Sequence, residues 1–279
     1  MEGHQAATVT WAEAGENRKG AEIIGNQYAS GMSVTELMSI AAKAEAVGIK
    51  AELFDLNAIC GVTDKDAPRA FVMRIKNATD KLLGPGAEER IEKWLASDAC
   101  IKQTRVEICK EVKNSQARYN TLLYDGPVTV PDDEGILRGE SVKMPFSSND
   151  DVSELRDEVQ TLIGRTMHVG EVNHYFDVTR RESGIGYHGD AERKMVAMFR
   201  FGKGSEQMPL HFAPFYNTKP IGKTKKVAFV LKKGTAFFMP TSVTCPHWRK
   251  KGHTWRHAAG NKAKWPKKFG KEPETVLIK

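Results

Sequence analysis

The sequence predicts an α+β protein: a β-rich C-terminal part built as a sandwich, barrel or jelly roll, preceded by a smaller α/β segment. Three observations carry this expectation. From residue 169 onward, short β-type runs alternate with turns at the spacing of an all-β architecture. Before that, helical periodicity with helix-start signals alternates with a strand-like run. Between the two, residues 125–150 (DGPVTVPDDEGILRGESVKMPFSSND) are rich in Gly, Pro, Asp and Ser and read as a connecting loop. The division is placed at residue 120, with 1–120 as an N-terminal α/β segment packed on the core and 121–279 as the core domain.

The elements follow in chain order. Ser33-Val34-Thr35-Glu36 has capping-box spacing, and LMSIAAKAEAVG continues with helical periodicity to Gly48, which predicts a helix over 34–47. IKAELFDL, residues 49–56, alternates as a strand does. Gly84-Pro85-Gly86 breaks the chain before a helix near 87–97, and another short helix is expected over 152–162. The runs VGEVNHYFDV, GIGYH, MVAMFRFG, MPLHFAPFY, VAFVLKK, TAFFM and TWRHAA then supply the strands.

Composition narrows the class. The 279 residues are 40% apolar, 28% charged and 8% aromatic, within the range of a globular chain rather than a disordered or collagenous one. Cys60, Cys100, Cys109 and Cys245 form no CxxC pair, so neither a disulfide scaffold nor a four-thiolate zinc site is signalled, and a reducing compartment is expected. MEGHQAATVT lacks an apolar signal region, and runs such as Val227–Leu231 fall far below the ~18 residues of a membrane span. The expectation is an intracellular protein, cytoplasmic or nuclear, without a membrane partner.

Charge is unevenly placed. The formal net charge is +7, yet residues 1–150 hold 18 Lys/Arg against 23 Asp/Glu, and residues 151–279 hold 24 against 12. From Arg249 to Lys271 there are nine basic residues and no acidic one, interleaved with Trp255, Trp265 and Phe269. Such a field attracts polyanions, so nucleic acid is the expected partner of the C-terminal half.

His188-Gly189-Asp190 is the pair that suggests chemistry. Residues two apart on a strand share a face, so an imidazole and a carboxylate could reach one metal ion. Three later histidines, His247, His253 and His257, offer a third ligand, and a two-His-one-carboxylate set leaves half of an iron coordination sphere open. Two open positions suit the keto and carboxylate oxygens of 2-oxoglutarate, and the last suits dioxygen. A competing reading groups Cys245, His247, His253 and His257 into a zinc site within a basic nucleic-acid-binding module without catalysis.

Asn173-His174-Tyr175 followed by His188-Gly189-Asp190-Ala191-Glu192 resembles the Asn-x-Tyr and His-x-Asp-x-Glu pattern of AlkB-like iron(II) and 2-oxoglutarate-dependent dioxygenases, with a slightly longer gap. Over most of its length the chain is also similar to uncharacterised AlkB-like proteins of large DNA viruses and algae, through WAEAGENRKGAEIIG, GIGYHGDAERK, FRFG and TWRHAAG. The resemblance implies a double-stranded β-helix, or jelly-roll, core. It implies His188 and Asp190 as iron ligands with His257 as the third, and Asn173 and Tyr175 as hydrogen-bonding partners of 2-oxoglutarate. The distal end departs from the family pattern. Gly234-Thr235 replaces its Gly-Asp strand, and His247 stands at the family's distance from Gly234, so His247 and His253 stay open as alternatives.

The distal carboxylate of 2-oxoglutarate calls for a fixed cation, best a guanidinium. Arg200, on the face of Met198, and Arg256 are the candidates, with Lys262 and Lys264 as substitutes. If His257 binds iron, strand alternation turns Arg256 away. Glu192 and Arg193 read as a surface pair or as support for the site. The implied reaction is hydroxylation of a C–H bond on nucleic acid, seen as demethylation for an N-methyl base that is single-stranded or flipped. A hydroxylase of a protein or small molecule on the same fold is the alternative.

Overall fold

A computed structural model describes residues 1, 3–16, 23–261 and 263–279. The chain is mixed α/β, dominated by two large sheets. The major sheet has eight strands in the order Glu52–Asp55, Phe71–Ile75, Ala236–Met239, Val196–Phe201, Ala6–Ala12, Val169–Tyr175, Tyr119–Tyr124 and Lys143–Pro145. Its neighbours are antiparallel except for the last pair. The minor sheet runs Gly184–His188, His253–Gly260, Leu210–Tyr216, Lys226–Phe229 and Thr275–Ile278, with Lys219–Pro220 as a short addition.

Strand alternation sorts the side chains of the major sheet onto two faces. Val9, Trp11, Ala197, Phe199 and Phe201 point outward and pack on Leu37 and Ile40 of the helix Val34–Ala46, Ile91 and Leu95 of Ala87–Ala96, and Leu155 and Val159 of Asp150–Ile163. Val196, Met198, Phe237 and Met239 point inward and meet Phe212, Phe229 and Trp255 of the minor sheet. The two sheets therefore share a core at one end of their interface.

The expected helices form, at Val34–Ala46, Ala87–Ala96 and Asp150–Ile163. Ser33 Oγ accepts from the Glu36 amide at 3.1 Å and the Glu36 carboxylate accepts from the Ser33 amide at 2.7 Å, which completes the capping box. The strand expected over 49–56 is shorter, Glu52–Asp55, because the Asp55 carboxylate accepts from the Ala58 amide at 3.1 Å and starts the helix Leu56–Cys60. The stretch 125–150 is not all loop: Asp132 caps a helix at Asp133–Leu137, and Lys143–Pro145 joins the sheet edge.

Residues 1–120, expected to pack against the core, instead supply three whole strands of its major sheet. Ala6–Ala12 lies in the middle, paired with Val169–Tyr175 on one side and Val196–Phe201 on the other. Its AATVTWA sequence places three apolar side chains on the helix-covered face, and that burial draws it inside. Among the described residues, no helix is long and apolar enough to cross a membrane.

Candidate metal centre

The mouth of the space between the sheets is polar where its base is apolar. A row of same-face residues crosses four strands of the major sheet: Arg200 is in register with Thr8, Thr8 with Asn173, and Asn173 with Asn120. Glu171 and Tyr175 flank Asn173 on its own strand. With His188, Asp190 and His257 opposite, Thr8, Glu171, Asn173, Tyr175 and Arg200 border a cavity of about 1320 Å³. The hairpin Arg105–Ile108 and Glu111–Asn114 brings its turn, Cys109 and Lys110, to the rim.

Cross-strand register brings the candidate ligands together. His188, last residue of an edge strand, stands opposite His257 on His253–Gly260, and the two rings are 4.4 Å apart between centroids. Asp190 follows after one residue. Its Oδ1 lies 3.6 Å from His188 Nε2 and 3.4 Å from His257 Nε2. One ligand atom from each residue falls within 4.8 Å of the others, the one such group of His, Cys, Asp and Glu among the described residues.

Gly189 makes the approach possible. A Cβ at that position would lie 2.7 Å from the Cys245 carbonyl oxygen and 2.7 Å from Trp248 Cβ, closer than any side chain tolerates. Asp190 is held from the other side, its amide donating to the Thr244 carbonyl at 2.8 Å. The His-Gly-Asp spacing thus fits a packed loop as well as a candidate ligand pair.

The protonation states suit a cation. His188 Nδ1 is 2.7 Å from the Gly186 carbonyl, which can only accept, so the proton sits on Nδ1 and the Nε2 lone pair faces Asp190 and His257. Burial, together with His257, pushes His188 down to about 4 against the pull of Asp190. Burial also works to raise Asp190, but His257, Arg193 and His188 outweigh it and hold the carboxyl well below its ordinary range. A neutral imidazole, as at His188, and an ionised carboxylate, as at Asp190, are forms that bind metal.

Arg200 is 1% exposed, and of its nitrogens Nη2 donates to the Met208 carbonyl at 3.1 Å while Nε and Nη1 have no partner. Among the described residues, none forms an ion pair with it. Burial lowers its pKa, partly offset by Tyr175, yet a guanidinium does not lose its proton in a protein. Arg200 lines the cavity, and two unused donors of a buried cation are a demand that a carboxylate would meet. Asn173 and Tyr175 are buried on the same face, the first donating to Glu171 Oε1 at 3.1 Å and accepting from Asn120 Nδ2 at 2.7 Å.

Other expectations are corrected. Arg256 precedes His257 on a regular strand and points away from the cavity, its guanidinium 4.1 Å from the Phe215 ring centre and 4.9 Å from that of Trp248. The zinc set does not assemble: His247 is exposed, and His253 Nε2 bonds Asp64 Oδ2 at 2.8 Å. Glu192 and Arg193 are not a surface pair but are 9% and 5% exposed, locked together and to Glu171. Lys264 lines the cavity from its exposed rim, whereas Lys262 and residues 17–22 of the WAEAGENRKGAEIIG stretch lie outside the described residues. Trp255 belongs to the core between the sheets, and Trp265 packs on Tyr187 at 5.5 Å, which leaves Trp248 as the tryptophan at the cavity.

Sequence reasoning missed Asn120, Glu171 and Arg118. The last lines the cavity with its Nε buried and unpartnered. Glu171 carries a signal in hindsight, since Glu171 and Asn173, polar residues at alternate positions of VGEVNHY, mark one face of that strand.

No protein-family model matches the chain, and no solved structure matches it. It is 26% identical over 258 residues to a protein of Acanthamoeba polyphaga mimivirus named Uncharacterized protein R156, an alignment covering 92% of this chain and 96% of that protein.

Proposed function

We propose that this protein is an iron(II)- and 2-oxoglutarate-dependent oxygenase on a double-stranded β-helix core. The observation that carries the reading is the shared cavity: a two-imidazole, one-carboxylate donor set on one wall and, on the facing sheet, a buried arginine with two donors unused. The donor set fits iron(II), since it offers three ligands on one side and leaves room for others. When bound, the metal activates dioxygen at the expense of 2-oxoglutarate for attack on a substrate C–H bond.

The protein's own part is binding and orientation. His188, Asp190 and His257 would hold the metal. Arg200 would pair with the distal carboxylate of 2-oxoglutarate, and Asn173 and Tyr175 would hydrogen-bond the cosubstrate beside it. The apolar base of Met198, Leu210 and Met239 keeps bulk water from that end of the cavity. Nucleic acid is the substrate class favoured by the rim, where Lys110, Arg249 and Lys264 are exposed beside Trp248, and by the basic C-terminal half.

Protein supplied with iron(II) is expected to convert 2-oxoglutarate to succinate and carbon dioxide, and His188→Ala to abolish this while leaving oligonucleotide binding intact. Turnover unchanged in that variant refutes the ligand assignment. Oligonucleotide affinity should fall steeply with salt. No binding even at low salt would transfer the substrate to the protein or small-molecule class.

A further inference from the structure

We infer that Glu171 is a positioning residue that decides which end of the Asn173 amide meets 2-oxoglutarate, and that Arg193 ties this setting to the loop bearing Asp190. The inference rests on the oxygenase reading.

The two ends of an asparagine amide are alike in shape and opposite in polarity. A carboxylate ligand only accepts hydrogen bonds, so Asn173 helps to bind one with its nitrogen and opposes it with its oxygen. Two neighbours touch the Asn173 amide. Asn120 Nδ2 donates to its oxygen at 2.7 Å, and Glu171 Oε1 accepts from its nitrogen at 3.1 Å. Asn120 is itself an amide, and its Oδ1 has no partner, so turning it over would let it serve a reversed Asn173 equally well. Glu171 has no such freedom. An ionised carboxylate accepts and never donates, so it alone breaks the tie and leaves the second Nδ2 hydrogen of Asn173 for the cavity.

A carboxylate 7% exposed needs a counter-charge, and Arg193 provides it. Its Nη2 is 2.7 Å from Glu171 Oε2, and its Nε is 2.7 Å from Glu192 Oε1. Arg193 stands three residues after Asp190. One guanidinium therefore joins the metal-bearing loop to the strand that carries Asn173 and Tyr175. The chain of contacts Glu192, Arg193, Glu171, Asn173, Asn120 runs without a break from one half of the site to the other.

Glu171→Gln keeps the side-chain shape but can present either polarity, and Arg193 retains Glu192 as partner, so the fold should survive. Manganese(II) serves as the redox-silent probe of the metal site. Mn(II) affinity, read by electron paramagnetic resonance without cosubstrate, should stay within about twofold of wild type and so report an intact loop. Calorimetric affinity of the Mn(II)-loaded protein for 2-oxoglutarate should fall by about 10-fold or more. Glu171→Asp, which keeps an acceptor-only group, should lie closer to wild type than Glu171→Gln.

The decisive arm is the Asn173→Ala background, where Glu171→Gln should add no further loss, because the residue through which it acts is gone. Equal losses in both backgrounds, wild-type affinity in Glu171→Gln, or a Glu171→Asp no better than Glu171→Gln would each overturn the inference. Wild-type protein that binds Mn(II) but not 2-oxoglutarate overturns the oxygenase reading, and this inference with it, before any substitution is made.

Discussion

Phe199 and Arg200 are neighbours on one strand, and each is almost fully buried, at 0% and 1% exposure, on opposite faces of the major sheet. Phe199 meets Trp11 edge-to-face at 5.1 Å among helix side chains, where burial of apolar area is favourable in itself. Arg200 sits in the polar row with two nitrogens unpaired. The helix-covered face also has an unpaired donor, Trp11 Nε1, but a neutral N–H left alone costs about 1–3 kcal/mol, whereas an uncompensated buried cation costs several. Burial alone therefore does not separate core from site. The charge left unanswered does, and in the proposed reading it marks the face that takes the cosubstrate.

Substitutions at paired neighbours would break or sharpen this contrast. Phe199→Ala should cost about 3–5 kcal/mol in denaturant unfolding, the penalty of a large cavity under the helices. A loss below about 1 kcal/mol would mean that this face is not close-packed. Arg200→Met should do the reverse, raising the stability of the ligand-free protein by about 1–4 kcal/mol while weakening 2-oxoglutarate binding by about 10- to 100-fold. If unfolding and calorimetry show the ligand-free variant destabilised, the arginine is structural and the contrast fails.

Smaller effects test the minor sheet, where His257 and Arg256 also face opposite ways. Arg256→Leu should lose about 1–2 kcal/mol of stability with its aromatic contacts and leave 2-oxoglutarate affinity as it was. A weakened cosubstrate would restore Arg256 as the clamp. His247→Ala is expected to change stability by less than about 0.5 kcal/mol and Mn(II) affinity not at all. A tenfold loss of metal affinity would reopen the choice of third ligand.

What could be read from the chain alone follows distance along it. His188-Gly189-Asp190 is a local pattern, and Arg200 was assigned to the face of Met198 by alternation within one strand. The third candidate ligand was harder, because His257 meets His188 only through cross-strand register, 69 positions away, and its TWRHAAG resemblance stood against the family-like distance of His247 from Gly234. Buried partners such as Glu171 and Asn120 were missed for the same reason: their strands lie next to each other only after folding. The strands Ala6–Ala12, Phe71–Ile75 and Thr275–Ile278 escaped notice because each draws its definition from neighbours distant in sequence. Helices fared better, since caps and periodicity are written within a dozen residues.

The central place of Ala6–Ala12 has a consequence for synthesis. Ala7 pairs with Phe201, so on a ribosome adding roughly 5–20 residues per second the first strand waits on the order of ten to forty seconds for that neighbour to be made. Until Val169–Tyr175 is made, both of its edges are open templates for a stranger's backbone, and one stays open until Val196–Phe201 follows. Nascent chains should therefore be most prone to aggregate before the Val196–Phe201 segment emerges, and slow translation or crowded expression would lower the yield of folded protein more than heat does once the sheet is closed.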